Sequence, residues 1–307
     1  MFPPLGVMYV AAALREAGHR VQILDGDPLL EVDMADRIAA FDPALIGLSF
    51  LTMTIVRARH LCEQLRARLP QVPLMLGGPH VTAEPARSLI DFAADIIVIG
   101  EGERTAAAVA ERLEEGGDLT DIPGTYTAAG KGPPRASIDE LDTVPFPARD
   151  LCDFERYLSP PGLIRGWAST RHASMLASRG CPFRCTFCAS HLQLGRRFRL
   201  RSVENVIAEL DHLVARYAIR GVYWVDDIFT GDRSWVRALC DRLMTRPYRL
   251  EWGCQSRVTG IDRITLEAMK AAGCVQVDFG VESGSQKILN RMRKGTRPDT
   301  ILKAFEL

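Results

Sequence analysis

The sequence predicts an α/β protein with two units, a flavodoxin-like (Rossmann-like) parallel-sheet domain followed by a partial (β/α) barrel. Strand and helix patterns alternate up to about residue 115, and the same alternation resumes at residue 171. The stretch between them is irregular and rich in proline and glycine. Alternating strands and helices form parallel sheets covered by helices on both faces. We therefore expect domains over residues 1–118 and 169–307, joined by a linker over residues 119–168.

The elements of the first unit follow from apolar spacing and from turn residues. Val7, Val10 and Leu14 recur at helical spacing after Pro4, and Gly18 stands where a helix ends. Further patterns predict strands over residues 20–25, 45–50, 73–76 and 96–99, and helices over residues 33–41, 56–69 and 105–115. A flavodoxin-like sheet has the strand order 2-1-3-4-5 and normally begins with a strand. Because this sequence begins on a helix, we expect the first strand to be missing on its amino side.

The second unit is predicted to hold four strands and three helices. The strands are expected over residues 171–177, 222–225, 250–255 and 275–281, and the helices over residues 203–217, 235–244 and 265–271. Parallel βα units repeated with short loops form barrels, and the active sites of barrels lie at the carboxyl ends of the strands. We therefore look for the site where these strands end.

Three cysteines, Cys181, Cys185 and Cys188, follow the first of these strands at C-x3-C-x2-C spacing. They are one fewer than the four thiolates that usually close a [4Fe–4S] cluster, so one iron would be open to another ligand. An iron with an open coordination position indicates a cluster that takes part in a reaction. A zinc knuckle is an alternative, because His191 would complete a Cys3His ligand set. Such zinc sites are closed and structural. A disulfide with one free thiol is a weaker alternative, because the eight cysteines are not arranged like those of a secreted, disulfide-rich protein.

The cysteine loop resembles the cluster loop of the radical S-adenosylmethionine (SAM) enzymes. The resemblance includes Arg179 and Gly180 ahead of the first cysteine and Phe187 just before the third. It implies that the open iron is chelated by the amino and carboxylate groups of SAM, and that an electron passed through the cluster cleaves SAM to a 5′-deoxyadenosyl radical. It also implies an electron donor such as flavodoxin or ferredoxin.

The turns that follow the strands of the first unit are rich in glycine, hydroxyl and acidic residues. Together they resemble the cobalamin (B12)-binding domain that precedes many radical SAM enzymes. The resemblance implies cobalamin contacts at Ser49, Thr52, Gly77, Gly78, Gly100 and Glu101. Free-standing cobalamin carriers supply a cobalt ligand from an Asp-x-His-x-x-Gly motif, which this sequence lacks. We therefore do not expect His19 or His80 to ligate cobalt.

The later strand ends of the second unit are polar as well. Asp226 and Asp227 follow its second strand, Arg257 the third, and Glu282 with Ser283 the fourth. Carboxylates suit the ammonium and hydroxyl groups of a ligand such as SAM, and a cation suits its carboxylate. Helix capping is the alternative role for such turns.

Residues 280–286 and 291–295 resemble the radical SAM branch that carries cobalamin domains. This resemblance implies that the five polar residues at the strand ends lie near SAM. The partial barrel of that branch usually has six strands, and four are predicted here. We therefore also expect strands to be missing on the carboxyl side.

Composition argues against several classes of partner. Lys+Arg and Asp+Glu both number 38, so net charge indicates neither nucleic acid nor a membrane surface. The dense basic run over residues 196–201 is expected to be a solvated loop. No apolar run approaches the roughly eighteen residues that span a bilayer. We expect a cytoplasmic protein, because a reducing compartment suits an oxygen-sensitive cluster.

The resemblances together imply a cobalamin-dependent radical SAM enzyme with a small-molecule substrate. Two reactions compete: methyl transfer to an unactivated centre, and an oxidative cyclisation such as that of the anaerobic cyclase of chlorophyll synthesis. A tRNA methylthiotransferase is an alternative enzyme, but those enzymes carry three further cluster cysteines in the first domain, where this chain has Cys62 alone. A ligand-binding module with a structural zinc knuckle is the non-enzymatic alternative.

Overall fold

The computed structural model describes residues 3–26, 34–158 and 171–307. Within these ranges the chain forms two β-sheets flanked by helices and one short two-stranded ribbon. Residue 33 of the predicted second helix, residues 159–168 of the predicted linker and residues 169–170 of the second domain lie outside the described ranges. No helix in the described part of the chain is long and apolar enough to cross a bilayer.

Five strands form the first sheet, and they lie side by side in sequence order. They are β1 (Ile46–Ser49), β2 (Leu74–Gly77), β3 (Ile96–Val98), β4 (Thr125–Thr127) and β5 (Gly130–Lys131). The first three are parallel, with Ile46 opposite Leu74 and Met75 opposite Ile96. β4 and β5 form an antiparallel hairpin on β3. The predicted parallel sheet is confirmed for β1 to β3, and the hairpin extends the sheet past residue 118 into the segment predicted as linker.

The prediction of a strand over residues 20–25 was wrong. This segment has no regular secondary structure, although Ile23 within it is buried. A strand is defined by its hydrogen bonds to a neighbour, and in the described part of the chain β1 pairs with β2 alone. The apolar pattern correctly indicated burial, but the partner strand that would make a ladder is absent from the described residues.

Six helices accompany the first sheet. They are α1 (Leu5–Glu16), α2 (Met34–Ala40), α3 (Ile55–Arg68), α4 (Pro79–Ala83), α5 (Pro85–Asp91) and α6 (Glu103–Glu114). Helical periodicity predicted four of them, with ends that differ by up to two residues. The short helices α4 and α5 were missed, because fewer than two turns carry too little periodicity, and their signal was a proline at the first position.

Four parallel strands form the second sheet, in the spatial order β11-β10-β9-β6. Its strands are β6 (His172–Met175), β9 (Gly221–Trp224), β10 (Glu251–Ser256) and β11 (Cys274–Phe279), and the ribbon pairs β7 (Ser178–Arg179) with β8 (Arg199–Leu200). The four predicted strands are confirmed, with starts and ends that differ by one or two residues. The ribbon was missed, because each of its strands has only two residues.

Six helices accompany the second sheet. They are α7 (Ser190–Leu194), α8 (Val203–Tyr217), α9 (Arg233–Met244), α10 (Arg263–Ala271), α11 (Gln286–Arg291) and α12 (Pro298–Glu306). Capping side chains fix the starts of the three predicted helices, α8 to α10. The Ser202 hydroxyl accepts from the Asn205 amide at 3.1 Å, and Asp232 and Asp262 do the same for α9 and α10. Single-turn 3-10 helices lie at Thr52–Thr54, Leu141–Thr143, Arg149–Leu151, Phe154–Tyr157 and Phe229–Gly231.

One hydrophobic core includes residues of both halves of the chain. Trp224 and Trp252 of the second sheet are buried together with residues of α8 and α9, and Leu5 and Met8 of α1 belong to the same cluster. Helix α1 also packs along α6 of the first half. Burying a large apolar side chain contributes roughly 1.5–3 kcal/mol to folding stability. Because α1 is packed against both halves in this way, it fixes the orientation of the first sheet against the second.

Candidate active site

A cavity of about 2150 Å³ runs along the whole length of β1, includes the turns at the carboxyl ends of the first sheet, and reaches the second half of the chain. Five of the six residues predicted to contact cobalamin line it: Ser49, Gly77, Gly78, Gly100 and Glu101. Ser190, Gln193 and Asp227, from the neighbourhood of the cysteine loop, also line it. Thr52 does not, and its hydroxyl lies 3.1 Å from Nδ1 of His80. The cavity therefore extends from the predicted cobalamin turns to residues that flank the cysteine loop.

The glycine pair at the carboxyl end of β2, Gly77 and Gly78, has two different roles. Gly78 has a φ of +94°, and a Cβ there would lie 2.6 Å from the Ser49 hydroxyl. Only glycine tolerates this approach and this backbone conformation without strain. A Cβ on Gly77 would meet no protein atom within 4 Å. Gly78 therefore allows two turns to pack together, whereas Gly77 leaves open space in the cavity wall.

A buried ion-pair cluster joins the turn after β3 to the cysteine loop. The Glu101 side chain is 1% exposed, and its carboxylate accepts from Arg179 at 2.9 Å and from Arg199 at 2.9 Å. Arg135 lies 3.4 Å from the same carboxylate, and Glu103 pairs with Arg179 at 2.7 Å. Burial alone would raise the pKa of Glu101, but the hydrogen bonds from Arg179 and Arg199 outweigh burial and lower it. The carboxylate stays ionised and fastens the first half of the chain to the second.

A second contact crosses the same junction. The side-chain amide of Gln193, in α7, donates to the Gly100 carbonyl at 2.7 Å. The Arg179 guanidinium also lies 5.0 Å from the ring centroid of Tyr9, in α1. The turn after β3 is therefore held from the cysteine-loop side by hydrogen bonds and charge, and α1 is held by a cation–π contact with the same arginine.

The cysteine loop begins at a sharp turn that requires glycine. Gly180 has a φ of +86°, and a Cβ there would lie 2.2 Å from the Arg197 carbonyl oxygen. Cys181 and Cys185 are partly exposed and Cys188 is exposed. The Cys181 amide donates to Gly195, and the Thr186 amide donates to the Met292 carbonyl at 3.0 Å. Backbone contacts at both ends thus hold the loop, and its three cysteines are at least partly exposed.

The cysteine loop carries three of the eight cysteines of the chain, and all eight are free thiols in the structure. Among the residues that the structure describes, no three His, Cys, Asp or Glu side chains converge closely enough to hold a single metal ion. A cubane binds each of its cysteines through a different iron, whereas a zinc knuckle gathers four ligands around one ion.

Asp226 anchors the start of the cysteine loop. Its buried carboxylate accepts from the Ala177 amide at 3.0 Å and from the amide and hydroxyl of Ser178. Burial raises the pKa of Asp226 to about 6, although these donors oppose the rise. The neighbouring Asp227 is exposed and accepts from the Ser190 hydroxyl. Of this predicted pair, Asp227 has a carboxylate that faces the cavity, and Asp226 is occupied by the loop.

The remaining predicted residues lie around the far side of the loop. Arg257 is buried, and its guanidinium contacts the Cys185 sulfur at 3.6 Å. Glu282, at a φ of 65°, accepts from the Lys294 ammonium at 2.8 Å. The same ammonium lies 5.6 Å from the ring centroid of Phe187. Ser283 accepts from the Ser285 amide at 3.1 Å, so its hydroxyl oxygen shapes the turn.

Sequence reasoning did not assign Lys294, Arg199, Gln193 or Ser190. Lys294 is 6% exposed, and its signal was its place in the quoted run after Glu282. The side chain of Arg199 pairs with a residue 98 positions away. A partner at that distance leaves no periodic or motif signal, so this contact could not be predicted from the sequence.

Two protein-family models match the chain. The B12 binding domain model matches residues 1–110, and the radical SAM superfamily model matches residues 175–307. The two matches lie on either side of the ion-pair junction, and the cysteine loop lies in the second.

Individual relatives extend over nearly the whole chain. An uncharacterized methyltransferase of Pyrococcus horikoshii is 35% identical over 99% of this chain and 66% of its own length. The anaerobic magnesium-protoporphyrin IX monomethyl ester cyclase of Rubrivivax gelatinosus is 27% identical, over all of this chain and 56% of its own length. The chain thus spans a little over half to about two thirds of these relatives.

A solved structure shows the same fold. It is the cobalamin-dependent S-adenosylmethionine radical enzyme OxsB with aqua-cobalamin and S-adenosylmethionine bound, at a TM-score of 0.83. The match covers 99% of this chain and 45% of OxsB, at 20% sequence identity. At this identity the likeness concerns the fold alone.

Proposed function

Because this chain joins a B12-binding domain to a radical SAM domain and so belongs to the cobalamin-dependent radical SAM family, we propose that it cleaves SAM reductively at a [4Fe–4S] cluster. The reaction served is methyl transfer to an unactivated centre or an oxidative cyclisation of a small molecule. One observation carries the proposal: a single cavity is lined by the B12-side turns and by residues that flank the cysteine loop. Two cofactors bound on these two sides would face each other.

Cys181, Cys185 and Cys188 would hold the cluster. Three accessible thiols on one irregular loop fit a cubane with one open iron, and the other five cysteines lie outside this loop. When bound, the cluster supplies the electron that cleaves SAM, and cobalamin supplies a carrier for a methyl group. Asp226 holds the loop in place through the Ala177 and Ser178 amides.

The SAM-side proposal rests on the charges around the loop. Lys294 and Arg257 are buried cations, and Glu282 and Asp227 are exposed carboxylates. SAM carries an ammonium, a carboxylate and ribose hydroxyls, so it requires partners of both signs. We assign Glu282, Ser283, Asp227 and the ring of Phe187 to this ligand. We assign Asp226 to the support of the loop.

The substrate would lie against the polar face of the second sheet. Val222 and Trp224 point into the core, so alternation places Tyr223 on the opposite face. Its hydroxyl donates to Asp278 at 2.6 Å. We propose that this face lines the interior of a partial barrel, where such groups would orient a small-molecule substrate. We also propose a first domain that runs past the predicted limit at residue 118 to the end of the β4–β5 hairpin, and a second domain over residues 169–307. We further propose an electron donor of the flavodoxin or ferredoxin class and a cytoplasmic location.

Product analysis tests the proposed function. We expect the protein, reconstituted anaerobically with iron, sulfide and cobalamin, to form 5′-deoxyadenosine from SAM when a strong reductant is added. S-adenosylhomocysteine formed together with it would indicate methyl transfer, and 5′-deoxyadenosine alone would indicate radical chemistry without methylation. A preparation that binds zinc instead of iron and forms neither product would refute the proposal.

The glycine pair provides a separate test of cobalamin binding. We expect Gly77→Leu to lower cobalamin retention at least tenfold with little loss of stability, because its Cβ would meet no protein atom within 4 Å and its branched end would enter the cavity that Gly77 lines. Gly78→Ala is the matched contrast, and we expect it to cost about 1–3 kcal/mol of folding free energy through backbone strain. Equilibrium dialysis measures retention and urea unfolding measures stability. Full cobalamin retention in Gly77→Leu would place the ligand elsewhere.

A further inference from the structure

We propose that Arg257 raises the reduction potential of the iron–sulfur cluster by placing an unneutralised positive charge and a hydrogen bond on the sulfur of Cys185. This inference rests on the proposed function, because it requires the cysteine loop to bind a cluster. It gives Arg257 a role in the reduction of the cluster, in addition to any contact with SAM.

The guanidinium is fixed from three sides. One terminal nitrogen, Nη1, lies 3.6 Å from the Cys185 sulfur. The other, Nη2, donates to the Lys294 carbonyl and to the Thr296 hydroxyl. The plane lies over the ring of Phe183, 3.6 Å from its centroid. With the residue 6% exposed, these contacts hold Nη1 toward the sulfur.

The charge on Arg257 is not offset by a carboxylate. Its contacts are a carbonyl, a hydroxyl, an aromatic ring and a sulfur, and it forms no ion pair with any residue that the structure describes. Lys294 differs, because Glu282 neutralises it at 2.8 Å. Of these two buried cations, Arg257 therefore exerts the larger net field on the loop.

A cation and a hydrogen-bond donor at a ligating sulfur both favour the reduced cluster. Reduction adds one electron and makes the cluster more negative, so a nearby positive charge stabilises the product of that step. Low exposure strengthens the effect, because buried charges are screened less than exposed ones. Arg257 acts through Cys185 and is thus a positioning residue, whose removal shifts the potential to more negative values.

Redox titration of the reconstituted protein without SAM tests the inference. The midpoint potential would be measured from the electron paramagnetic resonance signal of the reduced cluster in wild type, Arg257→Gln, Arg257→Lys and the control Arg263→Gln. Arg263 is exposed and is the first residue of α10. We expect a more negative potential in Arg257→Gln, a smaller shift in Arg257→Lys, and no shift in the control.

Each outcome is decisive. A wild-type protein without a cluster signal would refute the proposed function itself. A normal signal with unchanged potentials in both Arg257 variants would refute only this inference, even if SAM affinity fell, because Arg257 would then serve SAM alone. If Arg257→Gln fails to retain a cluster, the lysine variant decides: a negative shift supports the inference and an unchanged potential overturns it.

Discussion

Protein carrying Cys181→Ala is expected to fall from about four irons per chain to less than one after reconstitution, because two cysteines cannot hold a cubane with an open iron. The loss should be accompanied by loss of the charge-transfer absorbance and of 5′-deoxyadenosine formation. Stability should change little, since Cys181 is partly exposed and lies in a loop fixed by backbone contacts. Iron and sulfide analysis beside urea unfolding would measure both effects.

Cys152→Ala is the matched control, because Cys152 is also partly exposed but lies outside the loop. We expect it to bind iron and sulfide as the wild type does. Iron content equal to that of the wild type in both Cys181→Ala and Cys152→Ala would show that the loop does not bind the cluster. A loss in both variants would indicate that the cluster requires the whole thiol set.

Glu101→Gln is expected to destabilise the protein by about 3–5 kcal/mol, the usual cost of removing one member of a buried ion-pair cluster. The variant leaves Arg179 and Arg199 buried without their shared carboxylate. Because Arg179 precedes the cysteine loop and Arg199 follows it, we also expect weaker cobalamin retention and a lower cluster content. Urea unfolding with two probes, one in each half, would measure the loss.

Glu115→Gln is the control for this change. Its carboxylate is 75% exposed and lies 4.0 Å from Arg112, so its removal should cost less than about 1 kcal/mol. The lowered pKa of Glu101 adds a pH signature. Its stabilisation is present above the ordinary value of 4.5 and is lost as pH falls toward the lowered folded pKa. The difference between wild type and Glu101→Gln should therefore narrow in acid, and a constant difference would contradict this assignment.

Residue patterns within each element predicted most of the strands and long helices. The four strands of the second sheet and helix α8 lie where alternation and capping residues place them, since both signals act within a few residues. The strand over residues 20–25 was wrong, because apolar spacing reports burial and cannot report whether a partner strand is present. The structure also brings five predicted turn residues to one cavity, as the meeting of parallel strand ends requires.

Contacts between the halves could not be predicted. Glu101 was expected to contact cobalamin, and it does line the cavity, but its carboxylate pairs with Arg179, 78 positions away. Arg257 was expected to contact SAM on the basis of charge, and its approach to Cys185 depends on how β10 meets the loop. Such pairings are set by tertiary packing, which neither composition nor spacing encodes.

The Glu101 junction limits how these domains can be recombined. A chimera that takes residues 1–110 from a relative without an acid at position 101 would leave Arg199 with uncompensated charge at the domain boundary and would remove one of the two carboxylates that pair with Arg179. It would also replace α1, whose Leu5 and Met8 complete the core of the other half. Exchange of the B12-binding half should therefore succeed only when the acidic turn, the two arginines and the apolar face of α1 are transferred as one unit.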